Sequence, residues 1–173
     1  LQCTFLDKAM PIVTLFGDGG VFWILVAVAL LFFAKYRKTG FSMGMALILG
    51  LLVCNIFLKP QVARIRPYNF QLQEYGREIT LLVKGLNDYS FPSGHTIASF
   101  EACTVLMLHD KRLGIPATVL AILIAFSRLY LYVHYPTDVL VSVVLGILFG
   151  ILGNLIVNAI YKKFVYKGKY IEE

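Results

Sequence analysis

Charged residues are scarce in this chain of 173 residues: only 15% are Asp, Glu, Lys or Arg, against roughly 25% in an ordinary soluble domain. Hydrophobic residues make up 58% of the sequence, and the mean hydropathy is +0.74. So few charges on so apolar a chain exclude an ordinary soluble domain and indicate a protein that lies in lipid. The length suits a single domain over residues 1–173.

Cysteine and acidic residues are also few. The three cysteines form an odd set without metal-binding spacing, and Cys54 and Cys103 fall inside apolar runs, so we interpret them as buried spectators. The formal net charge is +6, with the charges placed between apolar blocks. This pattern fits anionic headgroups and a phosphorylated lipid substrate in a bilayer, rather than nucleic acid.

Apolar runs predict an all-α integral membrane bundle of about five transmembrane helices. The run 39–58 has 20 uncharged residues, the length that a hydrocarbon core of about 30 Å requires. Residues 1–18 mix apolar and charged residues and predict an amphipathic helix in the membrane interface. The five predicted spans are 19–34, 39–58, 96–108, 113–127 and 139–161.

Basic residues predict the orientation of this single domain. They follow the first span, precede the fourth, and form a tail over residues 162–173, which the positive-inside rule places in the cytoplasm. The bundle, residues 19–161, then presents its other connections on the extracytoplasmic side of a multi-pass protein of the cell membrane. The segment 74–86 in the longest of these connections predicts a short surface helix over the site.

Three polar clusters interrupt the apolar chain, at residues 59–67, 92–95 and 127–138. If the five spans alternate in direction, all three clusters lie at the same membrane face. Lys59, Arg66 and Arg128 would then form a group of cations that needs an anion, and phosphate suits both the arginine fork and the lysine charge.

The second cluster predicts a further anion site. Ser93 has the character of a helix N-cap, and Gly94 lets the backbone approach a phosphate closely. Free amides at a helix start attract anions, so both residues are candidate phosphate-binding residues.

Two histidines and an aspartate can supply catalysis. Asp138 follows His134 by four residues and can accept the proton of one ring nitrogen, which leaves the other as a nucleophile. His95 can protonate the leaving alkoxide and later deprotonate a water. No cofactor is needed, and although these three residues could also suit a metal ion, the three nearby cations would repel one.

The clusters fit K-x6-R-P, P-S-G-H and S-R-x5-H-x3-D in that order. Together they resemble the three-part signature of the type 2 phosphatidic acid phosphatase superfamily, the lipid phosphate phosphatases. The matched region runs from Lys59 to Asp138, and the short chain is similar to small bacterial members. Many members have six spans, where this chain has five plus the interfacial helix.

The resemblance implies a helical bundle that hydrolyses undecaprenyl diphosphate, phosphatidylglycerophosphate or phosphatidic acid. It implies His134 as nucleophile, Asp138 as its orienting partner and His95 as general acid. The phosphate-binding residues that it implies are Lys59, Arg66, Ser93, Gly94 and Arg128. Two alternatives stay open: a haloperoxidase-like enzyme that holds vanadate, and an anion or lipid transporter.

Two further charged residues fall outside these motifs. We interpret Arg64 as a surface or headgroup contact rather than a primary ligand. Glu101 shares a helix face with Gly94, so it should point inward, and both a functional and a structural role are open.

Overall fold

The computed structural model describes residues 3–166, which form helices joined by short turns and one long connection. The chain is all-α over this range, as predicted. The helices are α1 (Thr4–Leu15), α2 (Val21–Leu31), α3 (Arg37–Gly50), α4 (Lys59–Val62), α5 (Pro67–Tyr75), α6 (Gly94–His109), α7 (Lys111–Tyr130) and α8 (Pro136–Ile160). A π-helical segment, Leu51–Leu58, joins α3 to α4, and another, Tyr161–Tyr166, follows α8.

Within residues 3–166, four helical segments are long and apolar enough to cross a membrane: Thr4–Leu31, Ala34–Tyr75, Lys111–Tyr130 and Pro136–Phe164. Many large apolar side chains on their outer surfaces are exposed, as expected where lipid is the solvent. The predicted integral membrane bundle is therefore confirmed. The first of these segments contains both α1 and α2, so the interfacial position of α1 remains a prediction.

Helix α6, at the predicted third span, is the central helix of the bundle. Its 16 residues reach about 24 Å at 1.5 Å per residue, less than the hydrocarbon thickness. It packs against α3, α7 and α8, and most of its side chains are buried. Because its neighbours shield it from lipid, α6 needs neither the length nor the uniform hydrophobicity of the outer helices.

The surface helix predicted over residues 74–86 is wrong. The helix of this connection is α5, which begins with Pro67 at its first turn and ends at Gly76, a left-handed C-cap with φ of +60°. Proline favours the first helical position and glycine the position after the last, so these two residues fix the bounds of α5. Residues 77–93 contain no helix.

Glycines allow α8 to pack closely on α6. A Cβ added at Gly150 would lie 2.8 Å from the Cβ of Thr104 and 3.0 Å from the main-chain oxygen of Glu101. A Cβ added at Gly146 would lie 2.7 Å from the Cβ of Phe100. Small residues at this spacing bring membrane helices into backbone contact, so the position of α8 depends on them.

We expect Gly150→Ala to destabilise the bundle by about 1–3 kcal/mol, because the new methyl group must push two backbones apart. The control is Gly44→Ala on α3, where an added Cβ meets no atom within 4 Å. Both changes carry the same gain in helix propensity, so their difference in thermal midpoint in detergent isolates the packing cost. Equal midpoints for the two variants would contradict the close packing of α6 and α8.

The N-terminal helix packs beside the end of α7. Met10 of α1 forms a buried apolar cluster with Leu131 and Val133. Gly19 and Gly20 follow with φ of +57° and +69°, and this turn directs the chain into α2. This turn also places Asp18 at the end of the bundle where α7 ends. Of the predicted basic tail, residues 167–173 lie outside the described residues.

Candidate active site

The helices bring the three polar clusters to one end of the bundle. There, the end of the Ala34–Tyr75 segment, the start of α6, the end of α7 and the start of α8 surround a cavity of about 310 Å³. The convergence expected from alternating spans is thus present in the structure. The candidate site residues that line this cavity are Lys59, Arg66, Gly94, His95, Arg128 and His134.

Arg66 makes more hydrogen bonds than the other cations of the site, and its side chain is only 2% exposed. Its NH1 donates to the main-chain oxygen of Val133 at 2.8 Å and lies 3.3 Å from Nε2 of His134. Its NH2 donates to Asp88 Oδ1 at 2.6 Å, and Lys59 donates to Asp88 Oδ2 at 2.6 Å. The two predicted phosphate ligands of the first motif therefore share one carboxylate.

Arg128 reaches the cavity from the end of α7 and is 2% exposed. Its NH1 donates to the hydroxyl of Thr14 on α1, while its Nε has no hydrogen-bond partner among the described residues. A buried guanidinium nitrogen without an acceptor is costly, and a phosphate oxygen in the cavity would satisfy it.

His134 lies between Arg66 and Asp138. Its Nδ1 is 3.7 Å from Asp138 Oδ2, which is too long for a hydrogen bond, and Nδ1 has no other partner in the described part of the chain. Catalytic hydrogen bonds are often long until substrate binds, so this separation is compatible with the predicted pair. Burial lowers the pKa of His134 to about 4, with Asp138 opposing the shift and Arg66 and Arg128 adding to it. The imidazole is therefore neutral at pH 7, as a nucleophile must be.

Asp138 is held by groups that the sequence motifs do not include. Its carboxylate accepts hydrogen bonds from the Ser90 hydroxyl and, at 3.0 Å, from the main-chain nitrogen of Tyr135. Arg64 donates to Asp138 Oδ1 at 2.6 Å and lies over the ring of Tyr135. Arg64 is partly exposed, as a surface contact would be, but it also pairs with the fully buried carboxylate beside His134, which the sequence analysis did not predict.

His95 also has a carboxylate partner, which the sequence analysis missed. Its Nε2 lies 2.6 Å from Oδ1 of Asp18, in the turn before α2. The ring packs so closely on Gly17 that a Cβ there would lie 2.6 Å from His95 Cδ2. Burial and the charges of nearby cations, Arg128 first among them, lower the pKa of His95.

Ser93 and Gly94 occupy different environments. Gly94 lines the cavity, whereas Ser93 is fully buried and its amide donates to the Ser142 hydroxyl at 2.8 Å. Ser93 stands at the N-cap position of α6, but its hydroxyl accepts a hydrogen bond from the Thr96 hydroxyl instead of capping the helix. In these contacts the Ser93 hydroxyl only accepts, and its contact with phosphate stays a prediction.

Glu101 points inward, as its spacing from Gly94 predicts. It is 1% exposed, lines the cavity, and its Oε1 has no hydrogen-bond partner among the described residues. Leu47, Leu51 and Ile97 line the cavity as well. The cavity therefore extends from the cations towards the apolar interior, where the lipid part of a substrate can lie.

Among the described residues, the buried charges other than Glu101 gather at one end of the bundle. Such a distribution argues against a transporter, which would need polar groups along its helices. No group of three or more His, Cys, Asp or Glu side chains that could hold a metal ion occurs within residues 3–166. Clustered cations beside two imidazoles at the end of an apolar bundle are typical of a membrane enzyme that transfers a phosphoryl group.

Comparison with known proteins places this enzyme in a family. The model of the PAP2 superfamily matches residues 39–162. Undecaprenyl-diphosphatase of Sulfolobus acidocaldarius is 34% identical over 146 residues, which are 84% of this chain and 68% of that protein. Phosphatidylglycerophosphatase B of Bacillus subtilis is 34% identical over 158 residues, covering 83% of this chain and 71% of that protein.

A solved structure agrees with this placement. LpxE of Aquifex aeolicus superposes with a TM-score of 0.74 at 28% identity, over 88% of this chain and 87% of that one. The chain belongs to the PAP2 superfamily. It is an integral membrane lipid phosphatase, a hydrolase that acts on phosphate esters or anhydrides.

Proposed function

We propose that this chain hydrolyses a lipid monophosphate or diphosphate without a metal ion, through a phosphohistidine on His134. The observation that carries the proposal is the cavity where Arg66 and Arg128 lie beside His134 and His95. Undecaprenyl diphosphate, phosphatidylglycerophosphate and phosphatidic acid are the proposed substrates. Each of these lipids has a phosphate that the cations can bind and an apolar tail that can lie in the deeper part of the cavity.

In the first step, Nε2 of His134 attacks the phosphorus atom. The proximity of Arg66 NH1 to Nε2 favours the tautomer with its proton on Nδ1, which faces Asp138. The lone pair of Nε2 forms the N–P bond while the P–O bond to the lipid breaks. His95 enters this step as the imidazolium, whose charge Asp18 and the bound phosphate stabilise, and it gives its proton to the leaving oxygen. Lys59, Arg66, Arg128 and the Gly94 amide stabilise the charge on the transferring group.

In the second step, His95 accepts a proton from water as the water oxygen attacks the phosphohistidine. The P–N bond breaks, inorganic phosphate forms and His134 returns to its neutral form. The negative Asp138 stabilises the positive charge that the His134 ring carries in the intermediate. The Arg64 and Ser90 contacts hold that carboxylate in place.

A panel of lipids tests the substrate class. Purified protein in detergent should release phosphate from mono- and diphosphate lipids in the presence of a chelator, and vanadate should inhibit it. Comparing kcat/KM between polyprenyl diphosphate and glycerolipid phosphates identifies the preferred tail and head. Absence of release from every lipid, or release only with added divalent metal, would contradict the proposal.

We further propose that the protein resides in the cell membrane with this cavity facing the extracytoplasmic side. Basic residues at the opposite end of the bundle support this orientation: Lys35 lies between α2 and α3, Arg37 begins α3, and Lys111 and Arg112 begin α7. The cations at the cavity end do not count against it, since they surround the proposed phosphate site.

The native cysteines offer a test of orientation. Cys3 is exposed and its main-chain nitrogen bonds Tyr130 at the cavity end of α7, whereas Cys54 and Cys103 are buried. A membrane-impermeant maleimide should therefore label the protein in intact cells, and Cys3→Ser should abolish labelling. In the Cys3→Ser background, Lys111→Cys should react only after permeabilisation. The reverse pattern would place the cavity in the cytoplasm.

A further inference from the structure

Asp88 lies at the mouth of the cavity and contacts both cations of the first motif. Its Oδ1 accepts from Arg66 NH2 at 2.6 Å and its Oδ2 accepts from Lys59 at 2.6 Å. Its main-chain oxygen accepts from Arg66 Nε at 2.9 Å. One residue therefore engages the lysine and two of the three guanidinium nitrogens.

These contacts use the hydrogen-bond donors that a phosphate would need. A guanidinium binds carboxylate and phosphate in the same forked geometry, with two parallel N–H donors to two oxygens. The third nitrogen of Arg66 already donates to the main-chain oxygen of Val133. Arg66 has five N–H groups, and Asp88 takes the one on Nε and one of the two on NH2. A phosphate oxygen can bind either of these two N–H groups only if Asp88 moves.

Exposure and chain position show that Asp88 can move more easily than the cations. The Asp88 side chain is 51% exposed, whereas those of Lys59 and Arg66 are 15% and 2% exposed. Asp88 belongs to the non-helical residues 77–93, while Lys59 and Arg66 adjoin α4 and α5. Rotation of the Asp88 side chain outward would free Lys59 and NH2 of Arg66, while the main-chain bond to Arg66 Nε can remain.

We propose that Asp88 is a built-in competing anion, which occupies Lys59 and Arg66 when no phosphate is bound and is displaced by the lipid phosphate. This inference rests on the proposed function. It makes Asp88 a specificity-determining residue: free phosphate must displace the carboxylate with its own charge alone, whereas a lipid phosphate also gains binding energy from its tail. The carboxylate thereby weakens product inhibition and favours release of inorganic phosphate.

The charge of Asp88 is constant over the working range of pH. Burial raises the pKa of the Asp88 carboxyl. The hydrogen bonds from Lys59 and Arg66 lower it by more than burial raises it, so that the pKa is about 2. The competition should accordingly be the same at pH 6 and pH 8, apart from the ionisation of the phosphate itself.

The test is the affinity of purified full-length protein for inorganic phosphate, measured by calorimetry in detergent and as the competitive inhibition constant during lipid hydrolysis. Asp88→Asn keeps the shape of the side chain and removes its charge. We expect phosphate to bind at least about tenfold more tightly, since tenfold corresponds to the loss of one modest charge interaction. The Asp88→Glu variant, which retains the charge, should remain close to the wild type.

Glu78→Gln is the matched control, because it removes one exposed negative charge from the same connection without touching an ion pair of the described residues. It should leave phosphate affinity unchanged. The direction of the Asp88→Asn effect distinguishes a competing anion from a positioning residue. If the carboxylate only positions the two cations, its loss weakens phosphate binding. Weaker or unchanged binding in Asp88→Asn would overturn the inference.

Calorimetry keeps this test separate from that of the proposed function. Lipid hydrolysis by the wild type with unchanged phosphate affinity in Asp88→Asn removes the role of Asp88 and leaves the phosphatase proposal intact. Absence of lipid hydrolysis, with tighter phosphate binding in the variant, removes the proposed reaction and keeps the competing anion.

Discussion

Replacing His134 by glutamine is expected to abolish phosphate release, with a loss of about 10⁴-fold or more, the scale that follows removal of a covalent nucleophile. Glutamine can keep a hydrogen bond to Arg66 but cannot form the N–P bond. Initial rates on a lipid monophosphate and a lipid diphosphate in detergent measure the effect. A quench with labelled substrate should trap an acid-labile phosphoenzyme in the wild type and none in His134→Gln.

His109 supplies the matched control for this change. It is exposed at the opposite end of α6 and bonds Asn154 on α8 at 2.8 Å, far from the cavity. The His109→Gln variant should hydrolyse lipid at the wild-type rate. Residual turnover by His134→Gln within tenfold of the wild type would remove the nucleophile assignment.

Replacing His95 by glutamine should have an effect that depends on the leaving group. A general acid contributes roughly 10²–10⁴-fold when the leaving oxygen needs a proton, as an alkoxide does. A nitrophenolate leaves without one, so hydrolysis of nitrophenyl phosphate should lose much less in the first step. The second step still needs a base, and the phosphohistidine should accumulate with this substrate.

Rapid-quench measurement of the phosphoenzyme on both substrates tests the assignment. Asp18→Asn is a graded comparison, because it keeps the His95 imidazole and alters only its partner. It should reduce the rate less than His95→Gln and shift the basic limb of the pH profile. Equal losses in the rate of phosphoenzyme formation from alkyl and aryl phosphates in His95→Gln would show that the ring only positions other groups.

The agreement between predicted and observed helices has a simple cause. A bilayer requires long uncharged runs whose backbone polar groups bond within the helix, so composition alone locates such helices. The run 139–161 predicts most of α8, Pro136–Ile160. Prediction was weaker for the long connection, where the position of α5 depends on Pro67 and Gly76 rather than on an apolar pattern.

Prediction of the candidate site also succeeded in some parts and failed in others. Residues within one motif, such as His134 and Asp138, could be related to each other because their spacing along the chain limits their separation. The partners Asp18 of His95, Thr14 of Arg128 and Asp88 of Arg66 lie 77, 114 and 22 residues away, respectively. No local pattern identifies pairs at such distances, and each partner is a common polar residue in an unremarkable setting.

The sequence by itself determined that this protein lies in lipid, and it predicted that three groups of polar residues meet at one end of the helices. These properties follow from the energetic cost of placing charge and unpaired backbone in hydrocarbon. Only the tertiary structure decided that Arg64 supports Asp138, that Ser93 is buried against Thr96 and Ser142, and that Asp88 lies between Lys59 and Arg66. Those contacts depend on distances of a few ångströms between separate segments, which are fixed when the helices pack.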